Sequence, residues 1–289
     1  MSTVVIPTLG RPSLAGAILS LKSQTQSVSS IIVKEDSRDT LIKIKEAVNE
    51  CGTDYFVIAD DDAHYPMGWI AALSSQIEHD SLVGFVGGPC LPYVSHDSTD
   101  AEKAIAKVTS SYFGTSNLSY RWKANGGPSR DADETNLVGN GMYRTKVLRK
   151  ILNEEYDKIP IAAYETYIFT RIRQLGYRTI LNPNAYFFHR QRTSLRLFAS
   201  QIFRCGTGRM NYFKKFPYEA IKKFYIFFPL LMVLDTVAMF FFLPLAIPWA
   251  VYIGCALAHG RLWKYYVVMH YSYGFGMLYG VFRVRKTWG

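Results

Sequence analysis

YFVIADDDAHYP, residues 55 to 66, runs from an apolar, β-rich segment straight into three consecutive carboxylates. Adjacent like charges repel, so Asp60, Asp61 and Asp62 are either solvated in a loop or held together by a cation. The surrounding periodicity decides where they sit. Residues 3–6 form a short β-rich run closed by Pro-Thr-Leu-Gly, and residues 13–23 carry Leu14, Ala17, Ile18 and Leu21 at helical spacing. Residues 30–33 read as a second strand, 41–48 as a second helix and 55–59 as a third strand. Strand, helix, strand, helix, strand is the pattern of a parallel sheet with crossover helices, whose ligands bind beyond the carboxyl ends of the strands. The three aspartates therefore follow the carboxyl end of a central strand. Residues 34–36, Lys-Glu-Asp, hold the equivalent place on the strand before it.

Downstream, residues 69–77 read as a helix, and LVGFVGGP as a strand ending in a glycine turn. Residues 114–136 are polar and turn-rich, too long for a passive connection, and read as a lid, a binding loop or a disordered stretch. Residues 147–152 and 164–175 have helical spacing, the second segment ending at Gly176.

Charge is unevenly placed within the net +10. Residues 1–100 carry 6 Lys/Arg against 13 Asp/Glu, and residues 101–223 carry 22 against 9. This suits a cleft with a cation-binding wall facing an anion-binding one, or a basic face on anionic lipid. Nucleic acid ranks low as a partner, since no motif with interleaved basic and aromatic residues is present. Cys51, Cys90, Cys205 and Cys255 lack the spacing of a zinc site or a disulfide framework. The N-terminal MSTVVIPTLGR reads as a first strand rather than a signal peptide.

The character changes at Phe224. Residues 224–258 contain one charge, Asp235, in 35 residues, which exceeds one ordinary span of roughly 20 residues. Pro244 and Pro248 invite a break, so the expectation is a hairpin of two tight membrane spans with Lys222, Lys223, Arg261 and Lys264 on one side. Residues 265–282, uncharged and rich in glycine and tyrosine, read as an interfacial or re-entrant segment. The domain division expected is 1–215 and 216–289.

Taken together, VVIPTLGRPSLAGAILSLKSQT, IIVKEDSRD, ADDDAHYP, GNGMYR, YETYIFTRIRQLGYR and QIFRCGTGR resemble the membrane-attached family-2 glycosyltransferases with a GT-A fold, over about residues 2–210. The resemblance implies a Rossmann-like, mostly parallel α/β sheet followed by membrane helices. The implied reaction is inverting transfer of a sugar from a UDP- or GDP-sugar to a hydroxyl of a lipid-linked or polysaccharide acceptor. Mn²⁺ or Mg²⁺ is implied as cofactor, and a membrane location with the catalytic domain cytoplasmic. By that resemblance Asp62, with Asp60, holds the metal, and Pro7, Thr8, Arg11, Glu35, Asp36, Asp60 and Asp61 hold the donor. Glu165 is implied as the base, Arg171 and Gly176 keeping the family's intervals after it, although Tyr164 stands where the first acid of that motif belongs. Gln201, Arg204, His189 and Arg192 are implied at the acceptor and diphosphate, and Cys205 replaces a tryptophan platform, which favours one-step transfer over polymer synthesis. A polyprenyl-phosphate acceptor, already ionised and needing no base, is the alternative. A non-catalytic membrane protein binding anionic lipid or nucleic acid is the rival of another class.

Overall fold

In the computed structural model, residues 1–35, 37, 39–123, 126–133, 137–160 and 162–283 are described. They form two compact units. The first comprises Met1–Tyr93 and Asn117–Arg190, the second Val94–Ser116 and residues 191–283.

In chain order, the first unit opens with β1 (Ser2–Pro7), α1 (Leu14–Lys22), β2 (Ser30–Lys34), α2 (Thr40–Glu50), β3 (Tyr55–Ile58), β4 (Ala63–His64), α3 (Trp69–Ile77), β5 (Val83–Gly87) and β6 (Cys90–Tyr93). The chain then contributes α4 (Asp100–Thr109) and α5 (Tyr112–Thr115) to the second unit. It returns with β7 (Arg130–Asp131), β8 (Gly141–Arg144), α6 (Thr145–Glu155), α7 (Tyr164–Gln174), β9 (Arg178–Leu181) and β10 (Phe187–Arg190). The remainder is helical: α8 (Leu195–Lys215), α9 (Pro217–Lys222), α10 (Phe228–Ala238), α11 (Ala246–Leu257) and α12 (Trp263–Phe282).

The main sheet has seven strands in the order β2-β1-β3-β8-β5-β9-β7. β1 pairs in parallel with β2 and β3, and Val4, Val5, Ile6, Phe56 and Val57 have no exposed surface. Unbroken apolar runs of this kind fit strands covered on both faces. β8 departs from the parallel pattern, lying antiparallel between β3 and β5, so its amino-terminal end reaches the same edge as the carboxyl ends of β1 and β3. A second, three-stranded sheet, β4-β10-β6, stands next in importance, because it carries His189.

The expected helices at 69–77 and 164–175 form nearly as read, and Gly176, at φ 84°, closes α7 with its N–H on Arg173 O at 3.0 Å. The polar segment 114–136 is ordered where described: a 3-10 helix spans Ser116–Trp122, and β7 follows. Residues 124–125 and 134–136 lie outside the described residues.

The tail corrects the expectation of membrane spans. No described helix is long and apolar enough to cross a membrane. The run 224–258 is divided by residues 239–245 into α10 and α11, of 11 and 12 residues. At 1.5 Å per residue these are about 16 and 18 Å long, roughly half a hydrocarbon core. Residues 265–282, expected as an interfacial or re-entrant segment, lie within one continuous helix. They belong to the 20-residue α12, which packs along α8. The glycines serve this packing: a Cβ on Gly276 would lie 2.1 Å from Phe203 O, and one on Gly206 would lie 2.1 Å from Tyr273 O.

Arg171 braces α7 against α6. Its guanidinium donates to Glu155, Nη2 to Oε1 at 2.6 Å, and the Tyr167 hydroxyl donates to Glu155 Oε2 at 2.7 Å. Burial raises the Glu155 pKa, but these hydrogen bonds and the Arg171 charge outweigh it and leave the carboxyl below its ordinary value. A depressed carboxylate stabilises the fold above its unfolded pKa, and that contribution is lost as pH falls through the folded value. Glu155→Gln is therefore expected to cost about 1–2 kcal/mol at neutral pH, allowing for the partial exposure of Arg171, and almost nothing in acid below the carboxylate range. Denaturant titrations of both proteins at the two pH values check this.

Candidate functional site

The site grows from the shared edge of β1, β3 and β8. Thr8 N–H continues the β1 pairing onto Lys34 O at 2.9 Å, and Ala59 N–H bonds Val5 O at 3.0 Å, after which the chain turns into the aspartates. Asp61 is 5% exposed and accepts the Thr8 hydroxyl on Oδ2 and Arg11 Nη1 on Oδ1, the latter at 3.2 Å. Lys43, 1% exposed, donates from α2 to Thr8 O. Asp61 and Lys43 thus hold the 8–11 loop in place, and Arg11, also paired with Asp62, extends over the carboxylates.

Arg11 Nη1 thus bridges Asp61 and Asp62, while Asp60 is anchored separately. Asp60 N–H donates to the Tyr65 hydroxyl oxygen at 2.6 Å, and Asn140 Nδ2 donates to the same oxygen at 3.0 Å. Tyr65 is packed on Trp69 with ring centroids 4.2 Å apart, which fixes this anchor. The Asp60 pKa is pushed up to about 6, first by burial and then by the charges of Asp62 and Glu165, against opposing effects of His189 and an Asn140 hydrogen bond.

His189 enters through the second sheet. β10 pairs antiparallel with β4, setting His189 opposite Ala63, and its Nε2 lies 2.9 Å from Asp62 Oδ1. One ligand atom from each of Asp60, Asp62 and His189 lies within 4.8 Å of the others. Two carboxylates and an imidazole, partly buried and beside a raised carboxyl pKa, fit a divalent cation. A cleft of about 260 Å³, lined by α1, Asp62, His64, Tyr93, Phe188 and Arg190, opens beside this cluster and leaves Asp62 reachable from solvent.

Glu165 lies in the first turn of α7, entered through Ala163 at φ 76°. Its side chain rests on Gly139: a Cβ there would meet Glu165 Cγ at 2.7 Å and Oε1 at 2.8 Å. The β8 approach thus brings Glu165 near enough to Asp60 for their charges to couple. Burial and the charge of Glu165 hold the Tyr164 pKa well above its ordinary value, so Tyr164 stays a neutral phenol rather than standing in for an acid.

Of the residues expected from the sequence, Thr8, Arg11, Asp60, Asp61, Asp62, His189 and Glu165 gather in the first unit, with Pro7 ending β1 beside them. Glu35 is exposed one residue beyond β2, and Asp36 lies outside the described residues. Arg192, Gln201 and Arg204 belong to the second unit, where Arg192 Nε donates to Gln201 Oε1 at 3.0 Å. Sequence reasoning missed Lys43, Tyr65 and Asn140. Asn140 carried a signal, standing in GNGMYR just before a strand, and Lys43 carried one as a cation on the apolar side of α2.

No protein-family model matches the chain, and no curated protein does. Among solved structures it is similar to the mannosyltransferase PcManGT from Pyrobaculum calidifontis in complex with GDP-Man and Mn²⁺. That likeness has a TM-score of 0.63 and 15% identity, over 97% of this chain and 86% of that one. A looser likeness, TM-score 0.45 at 11% identity over 74% of this chain and 72% of that one, is to S. aureus TarS 1–349. The chain therefore has a glycosyltransferase fold, mixed α/β about a central sheet. At this identity the likeness is one of fold.

Proposed function

We propose that the protein is an inverting, metal-dependent glycosyltransferase of the GT-A kind, moving a sugar from a nucleotide-sugar to a hydroxyl of a membrane-linked glycan or polysaccharide precursor. The observation that carries this reading is the Asp60, Asp62 and His189 cluster at the carboxyl edge of the sheet, beside the Arg11 loop. Asp60, Asp62 and His189 would hold Mn²⁺ or Mg²⁺, which when bound supplies positive charge against the departing diphosphate. GDP-Man and Mn²⁺, bound by PcManGT, are the first donor and ion to try.

This chain's own groups account for the rest. Arg11 offers guanidinium N–H groups to the diphosphate, and Thr8, Asp61 and Lys43 keep it aimed. Glu165 takes the acceptor hydroxyl's proton as that oxygen bonds to the anomeric carbon. The bond from that carbon to the diphosphate oxygen breaks on the opposite side, its electron pair leaving with the nucleoside diphosphate, so the configuration inverts. The enzyme's location is proposed as the membrane surface, with the sugar-transferring unit in the cytoplasm. The test is nucleoside-diphosphate release from a panel of UDP- and GDP-sugars with lipid extract as acceptor. Release with one donor, abolished by EDTA, is expected; no release with any donor, or release indifferent to EDTA, would refute the reading.

A further inference from the structure

The second unit carries an exposed apolar surface that a water-facing helical unit does not tolerate. Of the thirty large hydrophobic residues that stand exposed among the described residues, fifteen fall between Tyr218 and Leu257. On α10 the outward positions are Phe228, Leu231, Leu234 and Val237, three residues apart. At 3.6 residues per turn these positions sweep about half of the helix circumference, opposite the buried Met232 and Val233, with the partly buried Asp235 inside the sweep. The inward side of α10 is apolar as well, with Met232 and Val233 buried. Ile247, Val251 and Leu257 stand exposed on α11. The connection between the two helices exposes Phe240 at 79%, Phe241 at 87% and Leu243 at 79%.

We infer that this surface inserts into one leaflet of an anionic lipid bilayer, without crossing it. Three observations select that occupant. α10 and α11 are each about the depth of a single leaflet, and no described helix is long and apolar enough to go through. Exposed cations flank the surface, Lys214, Lys215 and Lys222 at one end and Arg261 and Lys264 at the other, while the two carboxylates of residues 214–264, Glu219 and Asp235, are only partly exposed and Glu219 is paired with Lys222 and Lys223. Asp235, the one charge within the run, turns a carboxyl oxygen inward. Apolar side chains beside a cationic fringe are the pattern of monotopic insertion into acyl chains beneath anionic headgroups. The inference deepens the proposed function, since it places the enzyme where a lipid-linked acceptor is found and rests on that reading for its purpose.

Flotation of the full chain with vesicles tests it, and no sugar donor is needed. The protein is expected to float with vesicles of phosphatidylcholine containing phosphatidylglycerol, and several-fold less with phosphatidylcholine alone or at high salt. Phe241→Ser with Leu243→Ser, at positions too exposed to support the core, is expected to keep the thermal unfolding of the parent and to lower binding about tenfold or more. Failure of the parent to float with the anionic vesicles, or equal binding by the double variant, would overturn the inference. So would a vesicle-indifferent oligomer that the double variant dissolves, because a second copy would then be the occupant. Normal flotation with no turnover of any nucleotide sugar would refute the proposed function and leave this surface intact.

Discussion

Asp62→Asn is expected to lower sugar transfer by about three orders of magnitude, comparable to removing a principal charge-stabilising group from an active site. The residue carries three relationships at once: Arg11 on Oδ2, His189 Nε2 on Oδ1, and a place in the only His/Cys/Asp/Glu cluster among the described residues that could hold a metal. Asparagine keeps the shape and one oxygen but removes the charge. Removing it also relieves Asp60, whose pKa is raised by burial first and by Asp62 next, which offsets part of the loss of the Arg11 and His189 contacts, so the variant is expected to stay folded. The diagnostic pattern is loss of turnover together with loss of the thermal shift that Mn²⁺ produces, in a protein that remains folded.

Glu165→Gln is expected to cost two to four orders of magnitude in turnover, with the donor KM little changed, as roughly follows from removing a positioned general base. The amide preserves the contact with Gly139 and cannot take a proton. Gly139→Ala supports the same assignment from the other side, because its Cβ displaces the glutamate, and a misplaced catalytic group costs about a hundredfold. Steady-state kinetics with a hydroxyl acceptor measure both. Near-normal transfer by Glu165→Gln would instead point to an acceptor that arrives ionised, such as a polyprenyl phosphate.

The first half of the fold was legible because parallel strands buried on both faces announce themselves as apolar runs, and the turn into Asp60 to Asp62 sits where such a sheet binds ligands. His189 could be named but not placed. Its position depends on β10 pairing with β4, two short strands far apart in the chain, and local periodicity contains nothing about that register. The contacts of Asp61, which braces Thr8 and Arg11 from a buried position, likewise depend on the fold and not on local sequence. Arg171 matched a motif interval, and its observed partner is the α6 carboxylate of Glu155.

The tail was misread for a different reason. Hydropathy measures composition along the chain, whereas an ordinary span is a helix of roughly 20 apolar residues, and the break at residues 239–245 leaves pieces of 11 and 12. The glycines of α12 lie where α8 approaches closely, a packing role that the glycine-rich composition of residues 265–282 did not reveal. What hydropathy did register correctly was the near-absence of charge across residues 224–258, with Asp235 alone, which the structure turns into an exposed apolar surface.

The central claim is that Asp60, Asp62 and His189 hold a divalent ion for a nucleotide diphosphate. An electron paramagnetic resonance titration of Mn²⁺, with and without GDP or UDP, addresses it directly by following loss of the free-ion signal. One Mn²⁺ per chain is expected, bound about tenfold or more tightly with the matching nucleotide and lost in Asp60→Asn with Asp62→Asn. Mn²⁺ binding that is absent in the parent, or unchanged in the double variant, would contradict the account.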